Sequence, residues 1–170
     1  MSQKAEVAGV PARARSDREA MELAIRCALE GVETGQSPFG CCITKDGHVL
    51  VCSHNTVWQD ADPTRHAEVN AIQEACRKLG TIDLTGCTLY ATCEPCPMCF
   101  SAAHWARISR IVFGARIGDA QKAGFNEIEL PVEELMALAG KQVELVPGFM
   151  EQECREVFAA WARLARGKPY

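Results

Sequence analysis

The sequence predicts an α/β fold: a three-layer sandwich in which a five-stranded mixed sheet carries helices on both faces. Apolar segments short enough for strands alternate with longer segments whose apolar residues recur at helical spacing. The first two strands are joined by a tight turn and are therefore antiparallel. The later strands are separated by helices, which is the connection that parallel strands require. With 170 residues, the chain is most simply one domain that buries its own core.

Local signals mark where individual elements begin and end. Ser16 and Glu19 match a capping box that opens the first helix. Asp46-Gly47 is the strongest short hairpin signal, Gly80 is a helix stop, and Pro95 suits the first turn of a helix. The predicted elements are, in order, a helix from 16 to about 31, strands at 40–44 and 49–53, a helix between 65 and 80, a strand at 88–92, a helix from 95 to about 107, a strand at 110–115, a helix at 131–139, a strand at 142–146 and a helix from 150 to about 166.

Composition and charge are those of a globular protein. Hydrophobic residues make up 48% and charged residues 24%, and no apolar run approaches the length of a transmembrane helix. The net charge of −4 argues against a large nucleic-acid footprint, because phosphate binding needs a concentrated basic face. Residues 1–15 lack periodicity and are predicted to be a flexible leader before a single domain at 16–170.

The cysteines favour a reducing compartment. The chain has 10 of them but no secretory signal in residues 1–15. Most lie among apolar neighbours, where a free thiol behaves as a small buried hydrophobe. Reduced thiols of this kind predict a cytoplasmic protein.

Two segments carry the chemistry: His66-Ala67-Glu68 and Pro95-Cys96-Pro97-Met98-Cys99. One imidazole and two thiols are a ligand set for Zn²⁺, with Cys96 and Cys99 on one face of a helix turn. Three protein ligands leave the fourth tetrahedral position open for water, as in catalytic zinc sites. Glu68 is then expected to transfer protons rather than to bind the metal.

Other interpretations of these segments remain open. His-x-Glu alone is a chance string, and an isolated Cys-x-x-Cys at a helix start is equally typical of a redox pair. A fourth ligand such as Cys93 or His104 would close the site and make it a structural zinc module. In that case Glu68→Gln would have no effect on function.

The resemblance to a known family extends well beyond the metal motif. The chain resembles the bacterial guanine deaminases of the cytidine-deaminase-like zinc deaminase superfamily. The segments that carry the resemblance are Ser37-Pro38-Phe39-Gly40, Ser53-His54-Asn55-Thr56, 62–68, 93–99, 104–107, 119–125 and the stretch from Phe158 to Tyr170. It implies hydrolytic deamination of a free nucleobase, guanine to xanthine with release of ammonia, by a zinc enzyme.

The resemblance also implies roles for individual residues. His66, Cys96 and Cys99 would bind the metal, with Glu68 as the general acid and base. Asp119 would assist proton transfer at the amino group. Substrate contacts would come from Asn55, the backbone of Ala67, the aromatic side chains of Phe39 and Trp105, and Tyr170. In that family the terminal tyrosine closes the pocket and often comes from the partner subunit of a domain-swapped homodimer.

The stretch 126–148 does not follow the family pattern, and Glu127 and Glu129 only loosely replace its acidic pair. The reaction is therefore better indicated than the substrate. Cytosine, a triazine or a nucleoside such as guanosine is an alternative within the same chemistry. A tRNA adenosine deaminase is a second alternative, although those enzymes usually have Leu in place of Cys93 and carry basic surface for the anticodon arm.

Overall fold

The computed structural model describes residues 16–140, 143–164 and 168–170. Within these ranges no helix is long and apolar enough to span a membrane. The elements in chain order are α1 Asp17–Glu33, β1 Gly40–Lys45, β2 His48–His54, α2 Val57–Asp60, α3 Ala67–Leu79, β3 Cys87–Cys93, α4 Pro97–Trp105, β4 Arg110–Ala115, α5 Ile117–Lys122, α6 Val132–Leu138, β5 Glu144–Val146 and α7 Glu151–Arg163.

The sheet has five strands in the order β2-β1-β3-β4-β5. The pairs β1–β2 and β1–β3 are antiparallel, whereas β3–β4 and β4–β5 are parallel. The hairpin turns at Asp46 and Gly47, both of which have positive φ, as a two-residue turn between twisted strands requires. The predicted mixed sheet and α/β class are confirmed.

Alternate residues of each central strand face opposite layers, which makes two cores. Leu89 and Ile111 pack on one side of the sheet with residues of α3, α4 and α6. Tyr90 and Val112, the next residues along the same strands, pack on the other side with residues of α1 and α7. Helices therefore cover both faces, as the sequence predicts.

The main differences from the predicted elements are local. The short helices α2 and α5 are not anticipated, because four and six residues are too few to establish a helical period. Helix α4 begins at Pro97 rather than at Pro95, and Cys96 is its N-cap with an extended backbone. Residues 1–15, 141–142 and 165–167, which include the predicted leader and parts of the last predicted strand and helix, lie outside the described residues.

Strand directions bring several chain segments to one edge of the sheet. The end of β3 at Cys93 pairs with the end of β4 at Ala115. Because β1 runs antiparallel to β3, its beginning lies at the same edge, and there Gly40 pairs with His54 at the end of β2. Open α/β sheets commonly hold their ligands at such an edge.

Candidate active site

Two helix N-termini meet at this edge and carry a group of metal-binding side chains. His66 is the N-cap of α3, Cys96 is the N-cap of α4, and Cys99 lies in the first turn of α4. His66 Nδ1 lies 3.6 Å from Cys96 Sγ and 3.5 Å from Cys99 Sγ. The three ligand atoms all lie within 4.8 Å of one another. One imidazole and two thiols at this spacing fit Zn²⁺ by donor type and by separation.

The two side chains considered as a fourth ligand do not join this group. Among residues 16–140, 143–164 and 168–170, the group consists of His66, Cys96 and Cys99. Cys93 instead has its thiol 3.6 Å from the carbonyl oxygen of Arg116, and the His104 ring packs on Trp105 near the far end of α4. Three side chains around an open position are what a catalytic rather than a structural zinc site requires.

The pKa values of the two thiols are shifted in opposite directions. The hydrogen bond with the Cys99 thiol, helped by His66, lowers the pKa of Cys96 to about 4 against the opposing effect of burial. The same hydrogen bond, together with burial, raises the pKa of Cys99. The N-terminus of α4 also favours negative charge at these two sulfurs, which bind a metal as thiolates.

A carboxylate lies beside the group without belonging to it. Glu68, in the first turn of α3, is 8% exposed, and its Oε2 lies 3.5 Å from Cys99 Sγ. Burial raises the pKa of Glu68 to about 7. Ala67 precedes it as the first residue of α3 and is fully buried. The first backbone N–H groups of a helix have no partner within the helix.

Aromatic and amide side chains close the space above the group. The Tyr170 ring lies 5.8 Å from the His66 ring, and its hydroxyl accepts a 2.7 Å hydrogen bond from Asn55 Nδ2. Asn55 is fully buried, and its Oδ1 accepts a hydrogen bond from the backbone of Val57. Phe39 reaches this region through Phe125, which contacts the rings of both Phe39 and Tyr170.

Asp119 is not brought to the metal-binding group. Its carboxylate accepts hydrogen bonds from the backbone of Arg116 at 3.0 Å and from Arg155 Nε at 3.1 Å, and it lies 3.7 Å from Lys122 Nζ. It therefore caps α5 and pairs with two cations, which corrects the sequence-based expectation of a second catalytic carboxylate at this position.

Glu127 is the carboxylate that sequence reasoning missed. It is half-buried, and burial together with the charge of Cys96 raises its pKa. Its own charge acts in turn on His66 and on Tyr170. Glu127 follows the buried Phe125 and the turn at Gly124, where φ is +98°, in the loop after α5. The sequence signal was the acidic pair in the divergent stretch.

Trp105 does not reach the group either. It ends α4, is 78% exposed and contacts the His104 ring. Helix α4 has 9 residues from Pro97 to Trp105, which places Trp105 about 12 Å further along the axis. Within one chain it does not line the site, contrary to the sequence-based expectation.

Comparison with known proteins agrees with this geometry. The family model of the cytidine and deoxycytidylate deaminase zinc-binding region matches residues 14–115. The chain belongs to this deaminase family. The match includes both segments that carry the metal-binding group, so the zinc-binding region is shared with the family as a whole.

Relatives of this family member include guanine deaminases and tRNA-specific adenosine deaminases. Guanine deaminase of Bacillus subtilis (strain 168) is 41% identical over 157 residues, which cover 88% of this chain and 96% of that protein. The tRNA-specific adenosine deaminase of the same organism is 36% identical over 148 residues, with 87% and 89% covered. A solved guanine deaminase from Nitrosomonas europaea shares the fold, with a TM-score of 0.83 over 90% of this chain and 88% of that one at 22% identity.

The deaminase motif contains one further residue whose placement the sequence did not predict. Glu94, between Cys93 and the metal-binding thiols, has a side chain that is only 2% exposed. Its Oε2 accepts a hydrogen bond from the backbone of Ile117, the first residue of α5, at 3.2 Å. Its Oε1 accepts one from Val132, the first residue of α6, at 2.8 Å. Glu94 therefore binds the starts of α5 and α6, between which the segment with Glu127 lies.

Proposed function

We propose that this chain is a zinc-dependent hydrolytic deaminase that converts free guanine and water to xanthine and ammonia. The observation that carries the proposal is the group of His66, Cys96 and Cys99 with the buried Glu68 carboxylate beside it. Guanine is favoured as the substrate because the similarity to a guanine deaminase extends over 88% of the chain. We place this activity in one domain at residues 16–170.

The metal would be held by His66 Nδ1 and the sulfurs of Cys96 and Cys99. Zinc bound there supplies Lewis-acid activation of water at neutral pH. The chain holds these atoms at two helix N-termini, and the rigid helices keep them within 4.8 Å of one another.

Two carboxylates would move the protons. Glu68 is buried next to the metal-binding thiol of Cys99 and can take a proton from the attacking water and pass it to the purine ring. Glu127, whose charge acts on the same group, is suited to the leaving amino group. This pair replaces the predicted pair of Glu68 and Asp119.

The purine would be oriented by the buried Asn55 amide and by the backbone of Ala67 at the N-terminus of α3. The ring of Tyr170 would cover it, and Phe39 would support that cover through Phe125. Asn55 is well placed for this role, because its hydrogen bonds to Tyr170 and Val57 fix the amide plane inside the site.

Replacement of Glu68 by Gln tests the function. The variant is expected to keep its zinc, measured by elemental analysis, and to lose ammonia release from guanine. Glu74→Gln makes the same change at an exposed position of the same helix and is the matched control. Unchanged ammonia release by Glu68→Gln would refute the assigned role, and absence of guanine turnover by the zinc-loaded wild-type protein would refute the substrate.

The tRNA-specific adenosine deaminases are a second candidate, because one of them is 36% identical over 87% of this chain. The net charge of −4 opposes a nucleic-acid substrate. We expect weak tRNA binding with a shallow dependence on salt concentration. Inosine formation in tRNA at a rate above that of guanine deamination would favour this candidate instead.

We also propose a cytoplasmic location and a homodimer for this protein. All ten cysteines are free thiols in the structure, which supports a reducing cytoplasm. The resemblance supports a homodimer. Contacts of Tyr170 with Asn55 and His66 of the same chain support closure of the site within one subunit.

A further inference from the structure

We propose that Trp58 is a positioning residue that holds segment 168–170 over the candidate active site and thereby selects free purine bases over nucleosides. The selectivity presupposes the proposed deamination of guanine. The contact between Trp58 and segment 168–170 does not depend on that function.

Trp58 lies on the short helix α2 and is 46% exposed, so the core does not account for its side chain. Its indole Nε1 donates a 2.9 Å hydrogen bond to the carbonyl oxygen of Lys168. Its ring meets the Tyr170 ring edge-on, with the ring centroids 6.3 Å apart. Its hydrogen bond and its ring contact are therefore both with one three-residue segment.

The same segment is held on its other sides. The backbone of Asn126 donates a 3.0 Å hydrogen bond to the carbonyl oxygen of Tyr170. Pro169 packs on Gly124, where an added Cβ would lie 3.3 Å from the Pro169 ring. Trp58 binds the carbonyl oxygen of Lys168, just before these contacts, so it helps to fix the positions of Pro169 and Tyr170.

Tyr170 is the residue that this arrangement positions. Its hydroxyl meets Asn55 Nδ2 at 2.7 Å, and its ring lies 5.6 Å from Phe125 and 5.8 Å from His66. A flat base needs little height beneath such a cover, whereas a ribose attached to the purine needs the space that the Tyr170 ring fills. Loosening the segment would therefore weaken the binding of guanine and relax the exclusion of guanosine.

Two variants separate the contacts of Trp58. Trp58→Phe keeps an aromatic ring but removes the indole N–H, and Trp58→Ala removes both. Gln59→Ala changes the next exposed residue of α2 and is the matched control. The first measurement is the hydrogen exchange rate of the Asn126 amide, which needs no substrate because this amide donates to Tyr170. The second is steady-state kinetics with guanine and with guanosine.

Loss of one exposed hydrogen bond corresponds to a change of about two- to tenfold. We expect Trp58→Phe to raise the exchange rate of the Asn126 amide and KM for guanine by about this factor, with kcat within about twofold of wild type. The ratio of kcat/KM for guanine over guanosine should fall, further in Trp58→Ala, while Gln59→Ala keeps the wild-type values.

An unchanged exchange rate of the Asn126 amide in Trp58→Ala would show that Trp58 does not hold segment 168–170. Faster exchange with an unchanged KM for guanine and an unchanged ratio of kcat/KM for guanine over guanosine would show that Trp58 does not contribute to selection of the free base. If the wild-type protein fails to deaminate guanine, the proposed function is wrong, and the exchange rates still decide whether Trp58 holds the segment.

Discussion

Glu94 offers a sharp test of how the loop that carries Glu127 is held. Glu94→Gln keeps the shape of the side chain but replaces one carboxylate oxygen by an amide that cannot accept a hydrogen bond. One of the two backbone donors, Ile117 or Val132, then faces another donor inside the protein. The change also removes a negative charge from the starts of two helices and from Arg116, whose guanidinium lies 3.8 Å away.

The expected cost follows from these contacts. Hydrogen bonds to a buried charged group contribute about 1.5–3 kcal/mol each, and a charge at a helix N-terminus adds about 0.3–1 kcal/mol. Because Gln retains one of the two bonds, we expect a loss of about 3 kcal/mol in the free energy of unfolding. For a chain of this size that lowers the melting temperature by about 6–12 °C.

Urea denaturation followed by circular dichroism measures this loss. Glu134→Gln is the matched control, since Glu134 is also acidic and in the first turn of α6 but is exposed. The control should change stability by less than about 1 kcal/mol. If Glu94→Gln unfolds within about 0.5 kcal/mol of wild type, the two backbone contacts of Glu94 do not stabilise the loop as described.

Three further predictions concern packing, pH and the metal. Gly114→Ala should lower the free energy of unfolding in urea by about 1–3 kcal/mol or more, because an added Cβ would overlap the Cys154 side chain; unchanged stability would contradict this close approach of β4 and α7. The bidentate hydrogen bonds from Arg110 hold the pKa of Asp17 below its usual 3.8, so the stability they provide is present above pH 4 and is lost as the pH falls through the lowered pKa. The difference in urea midpoint between wild type and Asp17→Asn should accordingly shrink from pH 6 to pH 3, and a constant difference would refute the assignment. Cys96→Ser should sharply lower the zinc content found by elemental analysis, and retention of wild-type zinc would remove Cys96 from the ligand set.

The sequence predicted the fold well where local signals agree with the tertiary structure. The Asp46-Gly47 turn, the periodic helices and the alternation of strands with helices indicated the mixed sheet, which the strand pairing confirms. The boundary of α4 was wrong by two residues. Pro95 and Pro97 both suit a helix start, and the extended backbone of Cys96 places the start at Pro97.

The candidate site was likewise only partly predictable from the sequence. The two segments with His66, Cys96 and Cys99 were recognisable because the types of ligand residue and their spacing can be read directly from the sequence. The second carboxylate was not, because Asp119 and Glu127 are both acidic residues near one loop. Asp119 is held by Arg116 and Arg155, whereas Glu127 follows the buried Phe125 and the left-handed turn at Gly124, and none of these features is a property of the carboxylate itself.

The closure of the site by Tyr170 of the same chain has a consequence for any assembly that this protein forms. In the described structure Glu68 and Tyr170 lie at the site of one chain. If Tyr170 acts on its own chain, a mixture of chains defective at Glu68 with chains defective at Tyr170 should recover no activity. Exchange of segment 168–170 between two subunits would instead restore one intact site in each mixed dimer.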